Sequence, residues 1–195
     1  MTTEIWAPGE APPEALEWGP VRLDRWRPDD LDDQYAAVDV SREHLGGFMP
    51  WSHGYERAGA EWFLGDSARS WADRTAFNYR VSDPTVGPDR VLGSAGLMSR
   101  RGPGTLEIGY WVRSDAVRRG LARRASAALT QAGFALPGVE EITICHDPLN
   151  EASGGIPAQL GYTRLPDLVP GPPGREDERH VCWSLRKEAW SPVRG

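Results

Sequence analysis

Ser114-Asp115-Ala116-Val117-Arg118-Arg119-Gly120-Leu121-Ala122-Arg123-Arg124-Ala125 is the stretch around which the rest of the chain is organised. A strand-like run, Leu106 to Val112, precedes it. Apolar positions at Leu121, Ala125, Ala128, Leu129, Ala132 and Leu136 follow, spaced by three and four residues, and predict a helix. A strand, a glycine-containing turn and a helix start are the parts of an anion site. The first helical turn leaves backbone N–H groups unpaired, and the helix dipole favours negative charge beside them. Gly120 lacks a Cβ, so a phosphate could approach the backbone closely there. Arg118, Arg119, Arg123 and Arg124 flank the turn. Without further context the same residues also read as a connecting loop with solvated arginines.

The segment resembles the acyl-CoA pyrophosphate loop of the GNAT N-acetyltransferase superfamily, R/Q-x-x-G-x-G/A. Gly120 and Ala122 fill its last two defined positions, and Val117 stands where Arg or Gln is usual. That departure removes a side chain and leaves the backbone donors. A second segment, Asn150-Glu151-Ala152-Ser153 through Leu160-Gly161-Tyr162, looks like the N-x-x-S…LGF/Y segment of the RimJ/RimL-like branch. The resemblance runs from about Val21 to Trp190. It implies an α/β (α+β) fold, a strongly twisted, mixed and mostly antiparallel sheet flanked by helices, with acetyl-CoA as co-substrate and no metal.

Composition sets the bounds. A chain of 195 residues is ample for one domain with a buried core. No apolar run reaches the ~18 residues of a membrane span, and the N-terminus has no signal-peptide pattern, so the expectation is a cytoplasmic protein. Cys145 and Cys182 lack the close spacing of a disulfide framework or a zinc site. His44, His53 and His180 form no spaced metal cluster. A net charge of −6 argues against nucleic-acid or anionic-membrane binding and suits a cationic amine. Lys187 is the one lysine among 22 basic residues, which codon bias explains without any appeal to stability.

Taken in order, residues 1–20 carry Pro8, Pro12, Pro13 and Pro20 and read as an N-terminal extension, pinned to the body by Trp6 and Trp18. Residues 21–195 read as a single acetyltransferase domain. Val21–Trp26 alternates like a first strand. Pro28 then opens a helix through Leu31, Tyr35 and Val38 toward Leu45. An aromatic link, Phe48 to His53, leads to a second helix over Glu56 to Ala72. The resemblance lays this link over the acceptor site, whereas simple capping of the core is the alternative. Strands are expected over 75–82, 90–99, 106–112, 141–145 and 162–165, with 180–185 closing the sheet and a Pro/Gly loop over 166–177.

Acetyl transfer needs a held cofactor, a deprotonated amine, a polarised thioester carbonyl and a protonated leaving thiolate. The loop residues Arg118, Arg119, Gly120, Leu121, Ala122 and Arg123 would hold the pyrophosphate. The resemblance puts a carbonyl-binding N–H on the 106–112 strand, near Trp111 or Val112, with Gly109 as a break in the pleat. Glu107 shares a face with Gly109 and Trp111 and is the base candidate; a substrate-ammonium anchor and a solvated strand glutamate are the alternatives. By resemblance Ser153 is the acid facing the CoA sulfur, or else a helix N-cap. Asn150 would bind the pantetheine arm, or else serve the turn after Pro148. His146 ends a strand and could act as a base, or be a satisfied structural histidine. Cys145 reads as a buried thiol. The implied acceptor is a small-molecule amine, with a peptide N-terminus as runner-up and a CoA-binding sensor as the rival from another class. The reading leaves a homodimer open.

Overall fold

Hydrophobic strands that alternate at period two, joined by turns or by helical connections, assemble into a single sheet. The computed structural model describes residues 6–87, 90–172 and 174–191. The start of the N-terminal extension (1–5), the end of the 83–89 turn, Pro173 in the Pro/Gly loop and residues 192–195 lie outside the described residues. The strands are β1 (Ala15–Trp18), β2 (Val21–Arg25), β3 (Ala76–Ser82), β4 (Gly93–Met98) and β5 (Thr105–Val112). They continue with β6 (Glu141–His146), β7 (Thr163–Arg164), β8 (Val169–Pro170) and β9 (Arg179–Arg186). The sheet runs β1-β2-β3-β4-β5-β6-β9-β7, with β8 also paired to β9. All these pairings are antiparallel except β5 with β6. A parallel neighbour requires a crossover, and helix α4 (Leu121–Ala135) supplies it.

Helices α1 (Leu31–Asp39), α2 (Arg42–Gly46) and α3 (Arg57–Ala72) fill the connection from β2 to β3. Helix α5 (Glu151–Gln159) joins β6 to β7. The apolar stripe of α4 is buried as its spacing predicts: Ala125 and Leu129 pack in one cluster with Phe77, Leu97, Ile108 and Ile142. A side chain such as Leu129, wholly buried, contributes about 1.5–3 kcal/mol over its exposed state. By alternation Trp111 faces away from Ile108, and it packs on a second cluster that includes Ala37 of α1 and Leu64 of α3.

Several expectations change. Residues 15–18 of the extension form an edge strand on β2, and Trp6 and Trp18 pack against the main cluster. The first helix does not run on to Leu45. It stops at Asp39, where Ser41 Oγ donates to Ala37 O at 2.8 Å and competes with the next helical hydrogen bond. The 180–185 strand does not close the sheet, because β7 lies outside it. Gly109 does not break the pleat: it sits in regular register opposite Gly96. The cysteine expectation also fails. Cys145 and Cys182 are directly opposite on β6 and β9 and form a disulfide. A separation of 37 residues hides that pairing until the strand register is known.

Candidate active site

The site is built where β5 and β6 part. Their parallel pairing ends at Ile108 with Ile144. Beyond it β5 continues on β4 alone and β6 on β9 alone, leaving a V-shaped fork. Gly104 O turns toward β6, where the N–H of Glu141 reaches it at 3.1 Å. Alternation therefore aims the peptide groups of Leu106, Ile108, Tyr110 and Val112 at the same edge. Of the two residues expected to offer an N–H to a thioester carbonyl, Val112 faces the fork and Trp111 faces β4. Tyr110, which the sequence reading did not single out, presents a second such amide.

The fork opens into a cleft of about 1710 Å³. A single small ligand occupies ~300–1,000 Å³, so there is space for a cofactor and an acceptor together. One wall is the start of α4. Gly120 is its N-cap at φ +72°, and Arg118 is also left-handed at φ +61°. The first intrahelical bond into this turn is Arg124 N–H to Gly120 O, which leaves the N–H groups of Leu121, Ala122 and Arg123 without helical partners. The side chain of Leu121 is core, so only its amide can serve a ligand. Arg118, Arg123 and Val117 line the cleft. Arg119 is exposed, and its carbonyl accepts a hydrogen bond from Arg124 Nη1 at 2.9 Å. Arg124 thus clamps the turn from behind. Ser114 ties the same loop to the first helices, its N–H donating to Ser41 Oγ and its own Oγ donating to Val40 O, both at 3.0 Å.

The other arm carries α5. Asn150 is its N-cap and accepts the N–H of Ser153 at 3.1 Å. The capping role weighed for Ser153 therefore belongs to Asn150, and Ser153 Oγ is free of it. Ser153 Oγ lies 2.9 Å from the hydroxyl of Tyr110, which also reaches Ser153 O at 3.1 Å. Burial pushes the Tyr110 phenol up to about 12, partly offset by the Ser153 hydrogen bond. At neutral pH this pair is two protonated hydroxyls facing the fork.

The two base candidates are differently engaged. Glu107 is only 2 % exposed, and its two oxygens receive guanidinium N–H groups of Arg100 and Arg101. It is not solvated, and although the residue borders the cleft its carboxylate is already engaged by two cations. For His146, Trp183 Nε1–H donates to Nε2 at 3.2 Å, and Nδ1 lies 2.8 Å from Asp147 O. An indole N–H can only donate and a carbonyl can only accept. One neutral tautomer, protonated at Nδ1, satisfies both, and a proton arriving at Nε2 would set two donors against each other. Both ring nitrogens are thus in structural use, which speaks against His146 as a base. Among the described residues no cluster of three His, Cys, Asp or Glu is placed to hold a metal, and no helix is long and apolar enough to cross a membrane.

The far wall is aromatic. Phe48, Met49, Trp51 and Tyr55 from the link before α3, and Trp62 from α3, all border the cleft. Trp51 is 44 % exposed and Trp62 is 65 % exposed, so they wall the cleft and do not cap the core. Tyr55 fixes the wall: its hydroxyl donates to the buried Gln34 at 3.0 Å, and its ring stacks on Tyr35 and meets Trp51 edge-on.

A profile of the acetyltransferase (GNAT) domain matches residues 21–163. No curated protein matches significantly by sequence. Among solved structures, RimL, the ribosomal L7/L12 α-N-protein acetyltransferase, in complex with coenzyme A, superposes with a TM-score of 0.76 at 13 % identity, covering 92 % of this chain and 99 % of that one. The microcin C7 self-immunity acetyltransferase MccE, in complex with acetyl-CoA and AMP, gives 0.75 at 13 % identity, covering 86 % and 93 %. A GCN5-related N-acetyltransferase from Brucella melitensis gives 0.76 at 22 % identity, covering 95 % and 84 %. With the domain profile and the fold in agreement, the chain belongs to the GNAT family of acetyltransferases.

Proposed function

We propose that this acetyltransferase moves the acetyl group of acetyl-CoA directly onto the primary amine of a compact small molecule. The observation that carries the reading is one cleft with unlike walls: backbone donors and arginines at the start of α4, and an aromatic surface across the fork. The free N–H groups of Leu121, Ala122 and Arg123 suit a pyrophosphate, helped by the helix dipole, with Arg118 and Arg123 as charged supplements. Asn150 borders the route along the β5 edge toward Ser153. The amides of Tyr110 and Val112 offer hydrogen bonds to a carbonyl oxygen as charge develops on it.

The hydroxyls of Ser153 and Tyr110 act on the sulfur side. An ordinary thiol titrates near 8.5. Full proton transfer from a phenol at about 12 is then uphill by roughly 5 kcal/mol. The pair therefore works by hydrogen-bonding the departing thiolate while keeping its protons, and Ser153 is a donor more than an acid. With Glu107 and His146 both committed, the ammonium gives its proton to solvent in the open cleft before attack. The aromatic wall favours an acceptor with an apolar body, held by burial and by attraction of its cationic form to the ring faces.

Thiol release from acetyl-CoA, followed with aromatic small-molecule amines and with short peptides bearing free N-termini, tests this. The expected result is a kcat/KM for the best small amine at least ~10-fold above every peptide, a difference of about 1.4 kcal/mol. A preference for peptides would make the protein an N-terminal acetyltransferase. Binding of CoA without thiol release from any acceptor would make it a sensor.

A further inference from the structure

Arg100 and Arg101 share the single carboxylate of Glu107, and the two guanidiniums are used differently. Arg101 is occupied by protein: Nε donates to Glu107, Nη1 reaches Pro170 O at 3.5 Å and Nη2 lies 3.8 Å from Cys182 Sγ. Arg100 gives Glu107 only Nη2, and its Nε and Nη1 have no protein partner among the described residues. Arg100 borders the cleft, whereas Arg101 does not. Two cations on one anion leave a positive charge uncompensated at this end of the cavity. The neighbouring basic groups are balanced: Arg175 donates Nε and Nη2 to Glu178, and His180 Nε2 lies 3.2 Å from the same carboxylate. Of the other acids along the cleft, Asp147 accepts the Leu149 N–H at 2.7 Å, and Glu56 and Glu151 are exposed where α3 and α5 begin.

Alternation puts Glu107, Gly109 and Trp111 on one face of β5, over which α1 and α3 pack. The aromatic wall stands over that face. Met98, paired with Glu107, shares it, and Met98 Cε lies 2.8 Å from where a Cβ on Gly109 would stand. The floor beyond Glu107 is therefore apolar. Glu107 precedes Tyr110, whose amide faces the fork, by three residues, about 10 Å along the strand. That span takes a ring or a short chain. We propose that the acceptor carries a carboxylate at the end of its apolar body remote from the amine, and that Arg100 binds it. Charge-assisted hydrogen bonds from the remaining Arg100 N–H groups hold this carboxylate, while Glu107, itself fixed by Arg101, positions the guanidinium. One uncompensated charge matches a singly charged carboxylate and leaves a doubly charged phosphate group in excess.

This inference rests on the small-molecule acetyltransferase reading, and thiol release from acetyl-CoA tests the two separately. The probes are para-(aminomethyl)benzoate, its uncharged amide para-(aminomethyl)benzamide, and the para-phosphonate analogue, alike in amine and ring. Wild-type kcat/KM should be at least ~10-fold higher for the benzoate than for the benzamide, with the phosphonate below the benzoate. Arg100→Gln should bring benzoate and benzamide within about twofold of each other, chiefly through the benzoate KM, with CoA affinity by calorimetry confirming a folded protein. Arg100→Lys keeps a cation beside Glu107 but lacks the planar guanidinium, and should reduce the preference at least ~3-fold. Arg175→Gln should keep the wild-type ratio. Equal rates with benzoate and benzamide in the wild type, a phosphonate above the benzoate, a wild-type ratio in both Arg100 variants, or a ratio lost in Arg175→Gln would each overturn the inference and leave acetyl transfer to small amines standing. No thiol release with any of the probes or with other small amines removes both.

Discussion

The two walls of the cleft are built from different material. The wall proposed for the cofactor is made by backbone: a left-handed Gly120, a left-handed Arg118 and the free amides of the first turn of α4. The wall proposed for the acceptor is made by side chains: Phe48, Trp51 and Tyr55 on a link between helices, and Trp62 on α3. A backbone site depends on conformation, so few positions are constrained and most residue types around them are tolerated. Val117 in place of Arg or Gln fits that tolerance. A side-chain site depends on identity at every position, and it is there that we place acceptor choice. Between the walls stands Glu107, whose buried carboxylate is engaged by two arginines.

Glu107→Gln should have the largest effect, and on stability. The carboxylate is buried and the arginines keep about a fifth to a third of their side-chain surface. Removing it should cost about 2–4 kcal/mol, at the lower end of what breaking a fully buried pair costs because solvent reaches the arginines. Urea denaturation reads this. The pH–rate profile of the surviving enzyme should keep its shape. Loss of its acidic limb with stability unchanged would instead make Glu107 the base and blur the line between scaffold and site.

Next come Ser153→Ala and Tyr110→Phe, each removing one hydroxyl from the fork. A hydrogen bond to a charged group contributes about 1.5–3 kcal/mol, so kcat should fall roughly 10- to 100-fold with CoA affinity retained. Because Asn150 caps α5 through a backbone N–H, Ser153→Ala should leave stability nearly unchanged, and Asn150→Ala should cost about 1 kcal/mol. The opposite pattern in thermal melts would return the cap to Ser153.

The smallest effect is at alkaline pH. Burial raises the Tyr110 phenol to about 12 in the folded state, above the value near 10 of an exposed tyrosine. A neutral, protonated Tyr110 is therefore favoured by the fold. That contribution is complete below pH ~10 and is lost as pH rises through about 12. Burial also raises Tyr79 and Tyr162, so Tyr110→Phe should flatten only part of the wild-type decline in urea midpoint over this window. An unchanged slope would mean that Tyr110 is solvated.

The same contrast of backbone with side chain explains what could be read from sequence. Periodicity located the strands and α4 because burial repeats at 2.0 and 3.6 residues, and Gly120 was visible because a left-handed helix cap demands it. Tyr110 was visible only as one residue of the 106–112 strand. Its hydroxyl matters because α5 returns Ser153 to it from 43 positions away. The Glu107 ion pairs, the His146–Trp183 bond and the disulfide likewise depend on side chains meeting across turns or strands, which a linear pattern does not encode. The short strands β1 and β8 had no alternation long enough to register.

Steady-state kinetics of Gly120→Val and Trp51→Ala, with acetyl-CoA and amine both varied, test the division of the cleft most directly. A β-branched residue is strained at φ +72°, and a Cβ at Gly120 would lie 2.9 Å from Arg124 Nη1, displacing the clamp on the turn. Gly120→Val should raise the acetyl-CoA KM at least ~10-fold and leave the amine KM within about twofold, while Trp51→Ala should do the reverse. If each variant raised both constants together, the cleft would be one shared surface, and the separation of a backbone-built cofactor wall from a side-chain-built acceptor wall would be wrong.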